Sequence, residues 1–217
     1  VLGNHDEGLG VGGDGGFTGM VDPAEFVDWL NQDENKKWSG LGKACVELFK
    51  KIPRAVFLPD GLMIAHGGAP HDDCQEKGLN WKKLNEDANC LQDFVWARVH
   101  ERKKFSYPNR TSKGHQIGMS TFNAFCASTK EIKEITTPVR RLLRGHDHFI
   151  DGYKWYKRYT DNGVLTLNTR CFHPDLRIKS SKYLSVAKWV ENHLPEVHQI
   201  PVPPEAIDAV FERAMQE

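Results

Sequence analysis

Three stretches decide how this chain is read. They are Val1-Leu2-Gly3-Asn4-His5-Asp6, Leu62-Met63-Ile64-Ala65-His66-Gly67-Gly68, and Leu142-Leu143-Arg144-Gly145-His146-Asp147-His148. Each runs from apolar residues into a polar turn, the pattern of a buried strand that delivers side chains at its end. Asn4 offers a carbonyl oxygen, and His66, His146 and His148 each offer a ring nitrogen. Neutral oxygen and imidazole donors suit Mn, Fe and Zn. If the opening segment is extended, neighbouring side chains point to opposite sides. His5 then stands apart from Asn4, better placed to hand over a proton than to bind the same ion.

Bulk properties narrow the field. A chain of 217 residues can bury the core of a single domain. Its 29 basic and 29 acidic residues balance, so no overall field favours nucleic acid or an acidic membrane. A hydrophobic fraction of 39% without an 18-residue apolar run argues against a membrane span. Cys45, Cys74, Cys90, Cys126 and Cys171 are scattered, with no C-x-x-C pair. That suits reduced thiols in a cytoplasm better than a disulfide frame or a zinc knot.

Around the three motifs, residues 8–20 are glycine-rich and read as a mobile loop, with no P-loop signature. Asp22-Pro23-Ala24-Glu25 reads as a helix start, with Phe26, Trp29 and Leu30 on one face. A second helix is expected over 42–51, with Ala44, Cys45, Leu48 and Phe49 inward, ended by Pro53. Ala55–Leu58 and Leu62–Ala65 flank Pro59-Asp60-Gly61, a hairpin that delivers His66. Residues 70–118 are polar and irregular, an insert or lid within the domain, with short helices near 81–95. Ser120 or Thr121 is expected to cap a helix to Lys130. Strands over Val139–Leu143, Ile150–Tyr156, Val164–Asn168 and Tyr183–Val190 are expected to form an antiparallel run. Pro203-Pro204 precedes a C-terminal helix carrying Ile207, Val210, Phe211 and Met215. His71, His100, His173, His193 and His198 read as surface residues.

Taken in order, G-N-H-D, H-G-G and R-G-H-D-H resemble the later motifs of the calcineurin-like metallophosphoesterases. The phosphoprotein (Ser/Thr) phosphatase branch is the nearest. It shares a hairpin into H-G-G, a tryptophan segment, and R-G-H followed by Asp151-Gly152-Tyr153. The resemblance reaches to about residue 170. It implies an α/β fold with a β-sandwich core flanked by helices. It also implies two divalent ions (Mn, Fe or Zn), held about 3.5–4 Å apart in such sites. Asn4, His66 and His146 would bind one ion and His148 the other. The implied reaction is phosphomonoester hydrolysis by a metal-activated hydroxide, with His5 as general acid. Phosphoserine or phosphothreonine in a protein is the first substrate class, and a dinucleoside polyphosphate or other small phosphoester the second. No nucleic-acid or membrane partner is implied.

Arg98, in Phe94-Val95-Trp96-Ala97-Arg98, resembles the W-x-R that grips phosphate in bacterial and phage members, and a planar guanidinium fork suits that task. An ion-paired Arg98 is the equal alternative. Arg110 is the next candidate, ahead of Lys113 and His115.

The family's D-x-H and G-D-x-x-D-R strings do not occur in residues 1–217, and Arg170-Cys171-Phe172 replaces the loop sequence of the animal enzymes. The chain is therefore expected to be the C-terminal part of such a domain, lacking its N-terminal strands. On its own it is expected to be weakly active or a non-catalytic binding domain, because four ligands without a bridging carboxylate hold two ions poorly.

Overall fold

The computed structural model describes residues 1–22, 24–110, 112–156, 163–168, 183–191, 193–201 and 203. The first part of the chain forms α1 (Asn4–Gly8), β1 (Gly10–Val11), β2 (Phe17–Thr18), α2 (Glu25–Asn31), a 3-10 segment (Asp33–Trp38) and α3 (Ser39–Phe49). The hairpin β3 (Ala55–Phe57) and β4 (Leu62–Ala65) follows, then α4 (Asp72–Glu76), α5 (Trp81–Glu86) and α6 (Ala88–Trp96). Next come β5 (Arg98–Val99), β6 (Tyr107–Pro108), β7 (His115–Ile117) and α7 (Met119–Ser128). The last described strands are β8 (Arg141–Arg144), β9 (Tyr153–Tyr156), β10 (Val164–Leu167), β11 (Tyr183–Lys188) and β12 (Glu196–Pro201).

The central sheet has the order β3-β4-β8-β10-β9. Its hairpin forms as the sequence implies: Gly61 takes φ +80 in the turn, and Ala55 pairs with Ala65. β4 and β8 are parallel, with Ala65 opposite Arg144. This register sets the H-G-G and R-G-H turns side by side at one end of the sheet. Gly145 N–H donates to the His66 carbonyl at 3.2 Å across that junction. The expected antiparallel run holds only for β9 against β10, because β10 lies parallel to β8. β11 and β12 form their own two-stranded sheet. There Ser185 is buried and Val186 exposed, the reverse of what the apolar alternation suggests.

Met63, Ala65, Leu142 and Val164 from the sheet share one core with Phe94 of α6 and Phe122 and Phe125 of α7. Each of these side chains larger than Ala65 contributes about 1.5–3 kcal/mol on burial. Val164 and Leu165, neighbours in β10, are both buried, so both faces of that strand are covered. Leu2 is buried against Val95 and Trp96 and donates its N–H to the Pro53 carbonyl at 3.0 Å. It belongs to no strand, contrary to the expectation for Val1-Leu2.

Several local expectations change. The glycine-rich segment forms a two-strand ribbon, β1 with β2. The Asn31 side chain holds it, accepting the Phe17 N–H at 2.9 Å and donating to the Phe17 carbonyl at 2.8 Å. α2 starts at Glu25 after Ala24, with Leu30 buried and Phe26 and Trp29 exposed and stacked on each other. α3 buries Gly42 and Val46, while Ala44 and Leu48 face outward. Gly118, not Ser120 or Thr121, precedes α7. Residues 70–118 carry three helices and three short strands. The expected C-terminal helix and Arg170-Cys171-Phe172 lie outside the described residues.

Gly42 offers a test of this packing. Alanine is the better helix former by about 1 kcal/mol. A Cβ at Gly42, however, would stand 2.4 Å from the Phe17 ring and 2.9 Å from Leu30. Overpacking should win, so Gly42→Ala is expected to lose about 1–3 kcal/mol in urea unfolding. A gain in stability would show that α3 does not seat on Phe17.

Candidate metal centre

Asn4, His66 and His146 meet at the end of the central sheet. His66 Nε2 lies 2.7 Å from Asn4 Oδ1 and 3.2 Å from His146 Nδ1. Such separations are those of donor atoms that can share one ion with bonds of about 2.0–2.2 Å. Asn4 is buried, and the two imidazoles stand edge to face at 5.1 Å. His146 Nε2 is buried without a hydrogen-bond partner among the described residues. A buried orphan nitrogen is costly unless something binds it. Burial, followed by the charges of Arg144 and His5, lowers the His66 pKa to about 4. Burial, with Arg98 and Arg144, lowers that of His146 to about 2. Both rings are therefore neutral at pH 7, the form that ligates a metal. The donor set of Asn4 Oδ1, His66 Nε2 and His146 Nδ1 fits a divalent ion.

Local structure explains the placement. The segment expected to be extended is helical: Gly3 N–H donates to Asp6 Oδ2 at 2.9 Å, and Glu7 N–H to the Gly3 carbonyl at 2.9 Å. Successive side chains on α1 are turned by about 100°, not opposed. Asn4 faces inward, and His5 is exposed beside a cleft of about 160 Å³ that Met20, Val21, Phe26 and Phe49 also line. Glu7 anchors the helix, accepting from Arg54 at 2.9 Å and from the Trp96 indole N–H. Gly67 and Gly68 let β4 turn directly against α6. Their N–H groups donate to the Phe94 and Asp93 carbonyls at 2.7 and 3.0 Å. A Cβ on Gly67 would come within 2.7 Å of three backbone atoms of residues 93–97. His146 sits at φ +68, a left-handed conformation that a side chain rarely adopts. That outlier turns its ring toward His66.

Arg144 and Asp147 organise this turn, and sequence reasoning gave neither a role. The Arg144 side chain is fully buried. It donates to the Gly67 carbonyl, to Ala97 O at 3.2 Å, to Thr166 Oγ1 at 3.0 Å and to Asp147 at 2.5 Å. Asp147 also accepts from Arg98. Arg98 therefore stands in its ion-paired form at the edge of the cluster. His148 is exposed and close enough for its charge to depress His66. Arg110 is exposed just after β6, near Tyr107, and no described contact joins it to the imidazoles. Lys113 lies over the Trp96 ring at 5.4 Å.

The chain has a mixed α/β fold that a solved structure shares. It superposes on a solved protein serine/threonine phosphatase from Saccharomyces cerevisiae with similarity to human phosphatase PP5, with a TM-score of 0.57 and 13% identity. The match covers 82% of this chain and 57% of that one, so the chain spans little more than half the length of that phosphatase. No protein-family model and no curated protein sequence matches it. No helix among the described residues is long and apolar enough to cross a membrane.

Among the described residues, two further groups of metal-ligating type occur, His71 with Asp93 and His115, and Cys74 with Asp87 and Cys90. His71 is buried, a correction to its reading as a surface residue, and its ring stacks on His115 at 3.6 Å. Both imidazoles and both backbone N–H groups converge on Asp93. His115 is thereby committed to Asp93 and not to a phosphate. No sequence spacing signals this convergence, because His71 and His115 each lie 22 residues from Asp93.

Proposed function

We propose that this protein is a metal-dependent phosphoric monoester hydrolase acting on phosphoserine or phosphothreonine in proteins. The observation that carries the reading is the meeting of Asn4 Oδ1, His66 Nε2 and His146 Nδ1 within 3.2 Å contacts at a sheet end. Fold likeness to a Ser/Thr phosphatase supports it. Asn4, His66 and His146 would hold one divalent ion, and His148 a second. Bound ions supply an activated water and neutralise phosphoryl oxygens. His5, exposed on α1 beside the cleft, delivers a proton to the leaving alkoxide. Arg98 grips phosphate by exchanging its Asp147 partner for the substrate, with Arg110 as the second choice. Free thiols at Cys45, Cys74, Cys90 and Cys126 are in keeping with a cytoplasmic setting.

One observation favours a weaker catalyst or a binding domain. The nearby carboxylates are already engaged: Asp6 with the Gly3 N–H, and Asp147 with two arginines. The 217-residue chain is therefore expected to hydrolyse slowly. The test is Mn-dependent phosphate release from a phosphopeptide beside diadenosine tetraphosphate hydrolysis. Slow phosphopeptide turnover should fall about 10²–10⁴-fold in His5→Ala, and His66→Ala should lose metal. Faster turnover of the dinucleotide would favour the small-molecule reading. Bound metal with no turnover of either would leave a binding domain.

A further inference from the structure

Cys74, Asp87 and Cys90 are separated in sequence, yet their ligand atoms lie within 4.8 Å of one another. α4 supplies Cys74 and the start of α6 supplies Asp87 and Cys90. Both cysteines are buried. Asp87 is half-buried, leaving a route from solvent. One Asp87 oxygen, Oδ1, caps α6 through the Asn89 and Cys90 N–H groups at 2.9 and 3.0 Å. The Cys90 thiol also hydrogen-bonds the Asp87 carboxylate, so two of the three groups are already in contact.

We propose that Cys74, Asp87 and Cys90 form a Zn(II) site, with a solvent oxygen in the fourth position on the open side of Asp87.

Two observations support it. First, two buried thiols and a carboxylate with ligand atoms within 4.8 Å of one another are sulfur and oxygen donors of the kind zinc takes. Second, the charge closes. Two thiolates and one carboxylate carry three negative charges and zinc carries two positive ones. Lys83, whose ammonium donates to the Cys74 carbonyl at 2.5 Å, supplies the last. Soft thiolate ligands select zinc over the hard cations. On binding, each cysteine exchanges its S–H proton for a zinc–sulfur bond, so two protons pass to solvent. The site would staple α4 to α6, which carries the H-G-G contacts, without entering the Asn4–His66–His146 cluster.

The experiment is cobalt(II) loading of the full chain, read by absorption, with zinc content measured in parallel. A sulfur-to-cobalt charge-transfer band and strong tetrahedral d–d bands are expected in the wild type. Both should be lost in Cys90→Ser and retained in Cys126→Ser. His66→Ala should keep the bands, which separates this site from the phosphatase cluster. Should Cys90→Ser fail to fold, the wild-type spectrum still decides. Cobalt bound without a sulfur band, or a Cys74–Cys90 disulfide in protein kept under reducing conditions, would overturn the assignment.

Discussion

Alanine at Asp147 should destabilise the protein by about 3–5 kcal/mol, the usual cost of leaving a buried charge without its partner. Asp147 takes Arg98 with one oxygen and Arg144 with the other. The Arg144 side chain is fully buried and Asp147 is 16% exposed, so water cannot replace the lost carboxylate. Burial alone would raise the Asp147 pKa, but the Arg144 and Arg98 charges hold it below its ordinary value. The folded state therefore favours the ionised carboxylate. Its contribution is present above the ordinary value of 3.8 and is lost as pH falls through the lower folded value. Arg98→Ala is the control. That side chain is 37% exposed, so its ion pair is partly screened and its loss should cost about 1 kcal/mol or less. Urea unfolding of both variants at neutral pH measures the contrast. If Asp147→Ala costs no more than Arg98→Ala, then the carbonyls of Gly67 and Ala97 and the Thr166 hydroxyl satisfy Arg144 alone. Asp147 would then not be the organiser of the turn. Loss of Asp147 should also loosen His146, whose left-handed backbone is held between Arg144 and the cluster.

What could be read from sequence was local. The Ala55–Ala65 hairpin is written in two apolar runs and a Pro-Asp-Gly turn. The three motifs carried Asn4, His66 and His146, which the fold brings together, though only the last two follow strands. What could not be read was long-range or depended on one side chain. Asp6 turns residues 4–8 into a helix by capping Gly3, so the extended geometry assumed for Asn4 and His5 fails. Asn31 pins Phe17 across fourteen residues, so a glycine-rich loop becomes a ribbon. The parallel register of β4 on β8 places His66 beside Gly145, and periodicity says nothing of pairing direction. Helix faces were misjudged where a small residue was the buried one: Gly42 sits under Phe17, and Leu48 is turned out. For the same reason the cysteines gave no C-x-x-C signal, although α4 and α6 bring Cys74 and Cys90 together.

Asp93 is the second position where one substitution should have a large effect. Its carboxylate is almost fully buried and accepts from two backbone N–H groups as well as facing two imidazole nitrogens, at 2.5–3.1 Å. Asp93→Ala should cost about 3–5 kcal/mol by the same argument as for Asp147. Asp93→Asn is the sharper probe, because it keeps the volume and one acceptor but sets an NH₂ against donors. The pH dependence separates this network from simple packing. Burial works against charge on both partners. For Asp93, the hydrogen bonds from His115 and His71 outweigh burial and lower the carboxylate pKa. For His71, the hydrogen bond and charge of Asp93 outweigh burial and raise the imidazole pKa. The Asp93 contribution is present above its ordinary 3.8 and falls away in acid. That of His71 is complete below its ordinary 6.5 and falls away as pH rises through the higher folded value. Stability of the chelator-treated protein should therefore be greatest between those limits. Asp93→Asn should flatten both limbs together, because each depends on the same carboxylate. A variant that loses stability uniformly from pH 4 to pH 8, with both limbs intact, would mean that Asp93 acts through shape and that His71 titrates independently of it.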